Sequence, residues 1–326
     1  MNTITVHWIT AIQIASLSAL IGILATISHR LLRERPRHIR GDVALLEAAR
    51  REGWPGDGTP SNPIVISGLR IDASHGHGLV LRGTTLHVVI QDCVIYNGLR
   101  GRLEPHNGIL LEDVRNVTIS KCLITDNLTG IKLQRCSDCR IYECQITGNL
   151  NGIELYNCEN VLIRGNQASN NQGYGIFLGE CRDCKVAENV CMENGSVGIY
   201  VGSSANCIVT DNDCRGTKEF YGITLIECER CRVQNNRCFE NREDGIHLTG
   251  CTEVAIVSNL CRRNENDGIH LYRSGGCIVA GNRCVENHGF GVRLEAGTDC
   301  VVRKNEVEGN GLGGLRLQNC SSCTVG

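Results

Sequence analysis

A glycine followed by an aliphatic residue recurs at nearly constant spacing through most of the chain, and this repeat limits the fold more than any other feature. Successive glycines stand 22, 22, 23, 23, 24, 23, 23, 23 and 23 residues apart, at Gly108, Gly130, Gly152, Gly175, Gly198, Gly222, Gly245, Gly268, Gly291 and Gly314. An earlier copy, "GLVL" at Gly78, precedes Gly108 by 30 residues, with the excess in "NGLRGRLEPH". Sequence periods of roughly 20 to 50 residues are typical of solenoids. These eleven copies therefore predict a solenoid.

Each unit has the same internal pattern, counted from its glycine. Ile or Leu stands at +1 and +3, Cys at +6, +9 and +16, Val or Ile at +11, and Asn at +14 and +19. Alternation at +1/+3 and at +9/+11 is the period of a β-strand. Three short strands per unit can wind into a coil whose neighbours hydrogen-bond in parallel about 4.8 Å apart. The pattern predicts an all-β parallel β-helix solenoid over residues 54–326, with about 11 coils of 22–24 residues.

Asparagine fills two columns of this repeat. Position +14 holds Asn166, Asn189, Asn212, Asn236, Asn259, Asn282 and Asn305. Position +19 holds Asn127, Asn149, Asn171, Asn194, Asn241, Asn264, Asn287 and Asn310. Asparagine tolerates tight turns, and stacked side-chain amides can hydrogen-bond to one another. We expect both columns to be structural ladders.

The entrance segment "GWPGDGTPSNPIVI" and the repeating G-I-x-L-x-x-C-x-x-C-x-V-x-x-N-x-C-x-x-N unit resemble the right-handed parallel β-helix repeat family. This family includes NosD-type proteins and carbohydrate-binding or sugar-hydrolase β-helices. The resemblance covers Trp54 to Gly326 and implies a right-handed coil. Members include structural proteins, lyases, hydrolases, epimerases and accessory proteins, so the resemblance implies no single function. The chain departs from its relatives in often carrying Cys at +6 and +9, where they usually carry Ser or Asn.

The N-terminal segment has a different composition. Residues 1–28 contain no Lys, Arg, Asp or Glu, and "WITAIQIASLSALIGILATI" supplies 20 largely apolar residues. That length spans a bilayer as a helix, so we predict a transmembrane anchor at residues 1–29 and a single-pass membrane protein. A buried helix of a soluble protein is the alternative. Residues 30–53 would form a basic juxtamembrane segment and a short capping helix, "GDVALLEAARREG", with Asp42 as N-cap and Gly53 as its stop.

The side of the membrane stays open. The positive residues Arg30, Arg33, Arg35, Arg37 and Arg40 follow the apolar segment, and the positive-inside rule then places the β-helix in the cytoplasm. The family resemblance implies the outside instead. The overall charge is balanced, with 33 Lys plus Arg and 35 Asp plus Glu, and gives no electrostatic reason to expect a nucleic-acid partner.

The 21 cysteines all fall in columns that should face inward. No two C-x-x-C pairs lie on adjacent coils, so four thiolates do not converge as a tetrahedral zinc site requires. Stacked residues about 4.8 Å apart are also further apart than the Cβ atoms of a usual disulfide. We therefore expect buried free thiols rather than disulfides, and we predict neither a thiolate metal site nor a cofactor.

If +1 and +3 face inward, positions −1, +2 and +4 of the first strand should face outward. Aromatic rings stack on sugar faces, and Arg pairs with uronate or sulfate groups, so this strip predicts a groove for an extended polysaccharide. The predicted ligand-binding residues are Tyr174, Phe177, Tyr200, Tyr221, Tyr272, Phe290, Arg293 and Arg316. The alternative is that they serve no binding purpose, since aromatic residues favour strands anyway.

The same strip carries "DGIHLTGC" and "DGIHLYRS", one coil apart. The candidate catalytic residues are Asp244, His247, Asp267 and His270. Two carboxylates about 5 Å apart would suit glycoside hydrolysis. A histidine could instead abstract a proton beside a uronate whose charge Arg293 or Arg316 neutralises, which is lyase or epimerase chemistry. Two His and two Asp could also hold a divalent metal, as the copper association of NosD-type proteins suggests.

We therefore predict a membrane-anchored β-helix protein that binds an extended polysaccharide on its first-strand face. One alternative is a polysaccharide lyase, hydrolase or epimerase that uses the Asp, His and Arg residues of that face. Another is a structural protein that forms head-to-tail homo-oligomers. The sequence stops at "CSSCTVG", midway round a coil and without a polar capping segment, and uncapped solenoid ends favour stacking.

Overall fold

The computed structural model describes residues 35–101 and 104–326, and these residues fold into a parallel β-solenoid. The predicted anchor at residues 1–29 lies outside the described residues. Within the described ranges, no helix is long and apolar enough to cross a membrane. Three parallel sheets run along the solenoid, and each coil contributes one strand to each sheet. Strands are numbered β1 to β35 in chain order.

The first sheet joins the strands that begin at the repeat glycines. Its twelve strands in the described residues are β1 (Arg37–Arg40), β4 (Leu79–Arg82), β7 (Ile109–Glu112), β10 (Thr129–Gln134), β13 (Asn151–Tyr156), β16 (Ile176–Gly179), β19 (Ile199–Gly202), β22 (Ile223–Ile226), β25 (Ile246–Thr249), β28 (Ile269–Tyr272), β31 (Phe290–Glu295) and β34 (Gly313–Gln318).

The second sheet carries the strands around +10. Its described strands are β2 (Ile64–Ser67), β5 (Val88–Gln91), β8 (Val117–Ser120), β11 (Arg140–Tyr142), β14 (Leu162–Arg164), β17 (Lys185–Ala187), β20 (Ile208–Thr210), β23 (Arg232–Gln234), β26 (Ala255–Val257), β29 (Ile278–Ala280), β32 (Val301–Arg303) and β35 (Thr324–Val325).

The third sheet carries the strands around +16. Its described strands are β3 (Arg70–Asp72), β6 (Val94–Tyr96), β9 (Leu123–Thr125), β12 (Gln145–Thr147), β15 (Gln167–Ser169), β18 (Val190–Met192), β21 (Asp213–Arg215), β24 (Arg237–Phe239), β27 (Leu260–Arg262), β30 (Arg283–Val285) and β33 (Glu306–Glu308). Helix α1 spans Gly41–Glu52, and short 3-10 turns span Ala73–His75 and Gly98–Arg100.

Equivalent residues of successive coils stand side by side, as the repeat predicts. In the first sheet Ile246 pairs with Ile269 and His247 pairs with His270. The glycine that opens each unit is required by close packing between coils. A Cβ atom on Gly245 would lie 2.7 Å from the carbonyl oxygen of Gly268 and 2.8 Å from Nδ2 of Asn264. Contacts this short exclude any side chain at this position.

Both asparagine columns form buried ladders, which confirms their predicted structural role. Nδ2 of Asn236 donates to Oδ1 of Asn259 over 3.0 Å, and Nδ2 of Asn259 donates to Oδ1 of Asn282 over 3.0 Å. The left-handed corner residue is the one before each asparagine, such as Ser258 (φ 56°) and Arg263 (φ 54°), whereas the sequence pattern places the turn at the asparagine itself. The coil turns at these single residues, and the amides tie successive turns together.

The cysteines are free thiols inside the solenoid, as predicted. All 21 are unpaired, and only Cys320 and Cys323 are less than fully buried. Buried thiols still find acceptors: Sγ of Cys228 donates to the carbonyl oxygen of Val201 over 3.3 Å. Burial raises the pKa of Cys139 to about 12. Nineteen of the 21 thiols are buried among the aliphatic side chains, so the cysteines serve as part of the core.

The N-terminal end of the solenoid differs from its predicted form. Arg37–Arg40 is a strand that pairs in parallel with β4, so the solenoid begins before the predicted boundary at residue 54. Helix α1 has Arg40 rather than Asp42 at its N-cap, while Gly53 ends it in the left-handed conformation, as expected. The carboxylate of Asp42 instead accepts a hydrogen bond from Thr84 Oγ1 over 2.6 Å. Leu45 of α1 is buried in the core, consistent with a capping role.

Candidate functional site

Position +2 of each unit forms one continuous row across the outer side of the first sheet. We call this row the first-sheet face; from β10 to β34 it consists of Lys132, Glu154, Phe177, Tyr200, Thr224, His247, His270, Arg293 and Arg316. Neighbouring members are one coil apart, about 4.8 Å. The row therefore passes from a charged pair through aromatic rings to histidines and then arginines.

The expectation that position −1 also faces solvent is wrong for the two aspartates. Asp244 and Asp267 are each only 1% exposed. Oδ1 of Asp244 accepts hydrogen bonds from the backbone N–H of Asp267 over 2.9 Å and from Nδ2 of Asn266 over 2.7 Å. Oδ1 of Asp267 accepts from the backbone N–H of Phe290 over 2.6 Å. Both carboxylates turn inward because they bind the backbone of the next coil, which argues against a pair of exposed carboxylates for glycoside hydrolysis.

Asp244 nevertheless reaches the first-sheet face through its second oxygen. Oδ2 lies 2.8 Å from Nδ1 of His247 and 3.4 Å from Nδ1 of His270. The two imidazole rings meet edge to face with centroids 5.0 Å apart. One buried carboxylate therefore contacts the histidines of two successive coils.

The protonation of this cluster follows from its contacts. Burial disfavours the carboxylate of Asp244, but hydrogen bonds from His247 and His270 outweigh it and hold its pKa below the usual value. An ionised carboxylate can only accept hydrogen bonds, so Nδ1 of His247 carries the proton. The other ring nitrogen of His247, Nε2, lies 2.9 Å from the hydroxyl of Thr249. Tyr221 stacks on the same imidazole with centroids 4.3 Å apart and holds its plane.

Asp267 lies in a different environment. Burial raises its pKa, and the neighbouring charge of Asp244 adds to this effect. Its Oδ2 atom has no hydrogen-bond partner among the described residues, and the nearest cation is Nη1 of Arg293 at 3.9 Å. Arg293 instead donates to Glu295 Oε2 over 2.6 Å. The two aspartates of the repeated motif thus have opposite pKa shifts although the same four residues, Gly-Ile-His-Leu, follow each of them.

An aromatic cluster lies on the same face. The rings of Phe177 and Tyr200 are stacked, with centroids 4.8 Å apart and planes 3° apart. Tyr174 contacts both rings, at 5.3 Å from Phe177 and 5.5 Å from Tyr200. The small side chain of Thr224 separates this cluster from His247 along the row. The predicted aromatic residues Tyr174, Phe177 and Tyr200 are therefore brought together.

The remaining predicted ligand-binding residues lie towards the end of the row. The guanidinium of Arg316 lies 5.4 Å from the ring centroid of Phe290, and that of Arg273 lies 4.9 Å from the ring centroid of Tyr272. Tyr272 and Phe290 therefore contact cations and do not join the aromatic cluster. No carboxylate pairs with Arg316 among the described residues, so its charge is available to an anion.

Three residues that contact the candidate site were not among the predicted site residues: Glu295, Thr249 and Tyr156. Glu295 contacts Arg293 and lies 4.0 Å from Nε2 of His270, and Thr249 binds His247. Both stand at position +4, beside the row. Tyr156 at the same position packs 5.0 Å from Phe177 and extends the aromatic cluster. Their position in the repeat could have identified these residues, because every residue at +4 lies beside the residue at +2 of its own strand.

Asp244, His247 and His270 also have the donor set of a metal site. Each offers one ligand atom, and these atoms all lie within 4.8 Å of one another. Imidazole nitrogen and carboxylate oxygen suit divalent ions such as Zn²⁺ and Cu²⁺. The cluster can therefore act through a proton or hold a divalent metal.

Two family models match the chain. The model described as "Right handed beta helix region" matches residues 57–214. The model described as "Periplasmic copper-binding protein (NosD)" matches residues 194–325, a range that includes the Asp244 cluster. No curated protein matches the chain.

Several solved structures share the fold. An A-module of a mannuronan C-5 epimerase from Azotobacter vinelandii is 17% identical, with 87% of this chain and 95% of that chain covered and a TM-score of 0.64. An alginate lyase from a Paenibacillus species is 13% identical, with 87% and 99% covered and a TM-score of 0.59. The Dettilon tailspike protein is 16% identical, with 78% and 59% covered and a TM-score of 0.61. At these identities the likeness concerns the fold alone.

Proposed function

Because this chain belongs to the right-handed β-helix repeat family, we propose that it binds an extended acidic polysaccharide along the first-sheet face and transfers a proton on a bound uronate. The observation that carries the proposal is the 2.8 Å contact between Asp244 Oδ2 and His247 Nδ1, in the same row as stacked aromatic rings and arginines. The likeness to an alginate lyase and a mannuronan epimerase supports the substrate class.

Binding would use the two ends of the row differently. The stacked rings of Phe177 and Tyr200 offer an apolar surface for the C–H face of a sugar. Arg316 at the far end has no carboxylate partner among the described residues and would pair with a uronate carboxylate. A linear chain laid along the row would contact both ends and would pass over His247.

Proton transfer would use His247 as the base. Its Nε2 takes the proton from the sugar carbon that bears the carboxylate, and the positive charge of Arg293 stabilises the electron pair left on that carboxylate. Asp244 balances the imidazolium that forms, which is the role of a buried carboxylate behind a catalytic histidine. Return of a proton to the opposite side gives the epimer. Cleavage of the neighbouring C–O bond, with a proton added to the departing oxygen, gives the unsaturated lyase product.

The test is to incubate the full chain with polymannuronate or polygalacturonate in D2O. Deuterium at the carbon beside the carboxylate reports proton exchange, and ultraviolet absorbance of the new conjugated double bond reports elimination. His247→Ala should abolish both signals, while the exposed His75→Ala at the other end of the solenoid should leave them unchanged. Neither signal with any uronate polymer would contradict the catalytic proposal, and absence of binding would contradict the proposal as a whole.

A second candidate function is binding of Cu²⁺ by Asp244, His247 and His270. Their ligand atoms lie within 4.8 Å of one another, inside the range matched by the copper-binding family model. The donor set fits Cu²⁺, which would act there as a bound cation. Electron paramagnetic resonance of the full chain with one equivalent of Cu²⁺ would show nitrogen coupling, lost on His247→Ala and His270→Ala. A spectrum unchanged by both substitutions would contradict this site.

The location of the protein remains a proposal. The periplasmic description of the copper-binding family supports a β-helix outside the cytoplasm, held by the predicted anchor at residues 1–29. Head-to-tail assembly through the last coil also remains a prediction. A reporter fused after Gly326 that is active only outside the cytoplasm would test the proposed location. Analytical ultracentrifugation across a concentration series would test head-to-tail assembly.

A further inference from the structure

A second candidate binding surface lies on the outer side of the third sheet, between β21 and β33. It is a groove of about 580 Å³, and we call it the arginine groove. The lining residues used in the argument are Arg215, Arg237, Phe239, Leu260, Arg262 and Arg283. It lies on a different sheet from the first-sheet face, so the proposal made for it goes beyond the proposed function.

The arginines of this groove follow a regular alternation. In one column Arg215 pairs with Phe239, which pairs with Arg262. In the other column Leu260 stands between Arg237 and Arg283. Cationic and apolar residues therefore alternate along both columns, and the two columns are offset by one coil. Arginines of one column recur every second coil, at about 10 Å.

Charged residues on the outer side of this sheet are concentrated in this stretch: arginines on β21, β24, β27 and β30, with Asp213 on β21 and with Glu306 and Glu308 on β33. None of the outward-facing residues of the five preceding described strands, β6, β9, β12, β15 and β18, is charged. The arginines stand on four successive coils, in β21, β24, β27 and β30. The clustering points to an anionic ligand at this place.

Existing ion pairs leave the groove able to bind anions. Arg262 and Arg263 both lie 2.8 Å from the carboxylate of Glu286, and Arg263 also lies 3.9 Å from Glu240. Arg215 pairs with Asp213 at 3.4 Å, and Arg283 pairs with Glu306 at 2.8 Å. Glu286 and these arginines are about half exposed, and exposed ion pairs exchange readily with other partners. Arg237 has no carboxylate partner among the described residues, and its guanidinium lies 5.1 Å from the ring centroid of Phe239. At least Arg237 can therefore bind an anion without losing an ion pair.

We propose that the arginine groove binds a linear anionic glycan that carries carboxylate or sulfate groups. Guanidinium forks match the planar or tetrahedral oxygens of these groups. The apolar residues between them, Phe239 and Leu260, offer contact surfaces for the C–H faces of sugar rings. The two-coil spacing within a column is close to the length of a disaccharide, so alternate rings of one chain would present their charges to successive arginines. A neutral glycan lacks the charges that this pattern requires.

The test is calorimetric titration of the full chain carrying Tyr200→Ala and His247→Ala, which removes one of the stacked rings and the proposed base from the first-sheet face. The probes are oligogalacturonate, dextran sulfate oligomers and neutral dextran. We expect binding of at least one anionic probe, no binding of dextran, and at least a tenfold loss of affinity on adding Arg237→Glu with Arg262→Glu. The matched control, Arg140→Glu with Arg232→Glu on the exposed side of the second sheet, should change the affinity less than twofold.

Each other outcome overturns the proposal. Equal effects of the groove and control substitutions would reduce the binding to general electrostatics. Binding of phosphatidylglycerol vesicles or of a single-stranded oligonucleotide without binding of any anionic glycan would assign the groove to another ligand class. Circular dichroism melting of each variant checks that these exposed substitutions leave the fold intact. If the first-sheet proposal fails, Tyr200→Ala and His247→Ala alone leave glycan binding unchanged, whereas the groove substitutions still remove it.

Discussion

The buried carboxylate of Asp244 lies 2.8 Å from Nδ1 of His247, and its other oxygen accepts the backbone N–H of the next coil. The scaffold thus fixes the carboxylate, and the carboxylate fixes the tautomer of the imidazole. In the proposed mechanism Asp244 acts through His247 and does not touch the substrate.

Asp244→Asn should separate this positioning role from binding. The amide keeps an acceptor for the backbone N–H of Asp267, but it removes the negative charge that supports an imidazolium. We expect kcat for proton exchange to fall by about 100-fold with KM changed less than threefold, because binding does not use this residue. Steady-state kinetics on the polymer that gives exchange would measure both. A large rise in KM with kcat unchanged would contradict the positioning role.

Asp267→Asn should stabilise the fold at neutral pH. Burial raises the pKa of Asp267, so the folded protein holds this proton more tightly than the unfolded chain does. Its destabilising effect is absent at low pH, begins as the pH rises through the ordinary value of about 3.9, and is complete above the raised value. We expect the variant to be more stable than the parent protein at pH 7 and no more stable at pH 3. Urea denaturation at both values is the measurement, and a gain of equal size at pH 3 would contradict burial of the charge as its cause.

Asn236→Ala should be strongly destabilising because Asn236 is an interior rung of its ladder. Its amide donates to Val209 and Asn259, and its carbonyl accepts the backbone N–H of Asn212 over 3.0 Å. Removal leaves several buried groups unpaired, at a cost of about 3 kcal/mol in the free energy of unfolding. The last rung, Asn305, is the matched control. Asn305→Ala leaves fewer buried groups without a hydrogen-bond partner and should lower the free energy of unfolding by about half as much. Equal costs at the two positions would contradict cooperation along the ladder.

Thiol titration should count the cysteines as free. In the native protein only Cys320 and Cys323 are less than fully buried, so at most two thiols should react quickly with an alkylating reagent. All 21 should react after unfolding in guanidinium without reductant. Mass spectrometry gives both counts. Fewer than 21 modified residues in the unfolded protein would indicate disulfides.

The sequence was sufficient to predict the sheets, the asparagine ladders and the buried thiols, because each of them depends on one residue position that repeats in register from coil to coil. It failed where a residue depends on the chain direction at a corner. Asp244 precedes its strand and stands two residues before the inward-facing Ile246, so the outward orientation expected for position −1 ran against the alternation of Ile246 and Leu248. The strand Arg37–Arg40 was also missed, because it occurs once, lacks the repeat glycine, and pairs with β4 across an intervening helix.

In the proposed site, the opposite pKa shifts of Asp244 and Asp267 could not be predicted from two copies of DGIHL. They arise from the following coil, which supplies His270 to Asp244 but Arg293 in place of a third histidine beside Asp267. The aromatic cluster was predictable as a column, whereas its contacts depend on side-chain rotamers that the column leaves open.

The in-register row of the first-sheet face determines which ligand lengths the protein can distinguish. Tyr200 and His247 are separated by one residue of the row, Thr224, and no intermediate spacing exists because each step is a whole coil. Distances between subsites are therefore discrete. Loss or gain of one repeat between the aromatic rings and the histidines would move the base by one full step, while every strand on either side kept its pairing. Ligand length could thus change by whole repeats without redesign of the core.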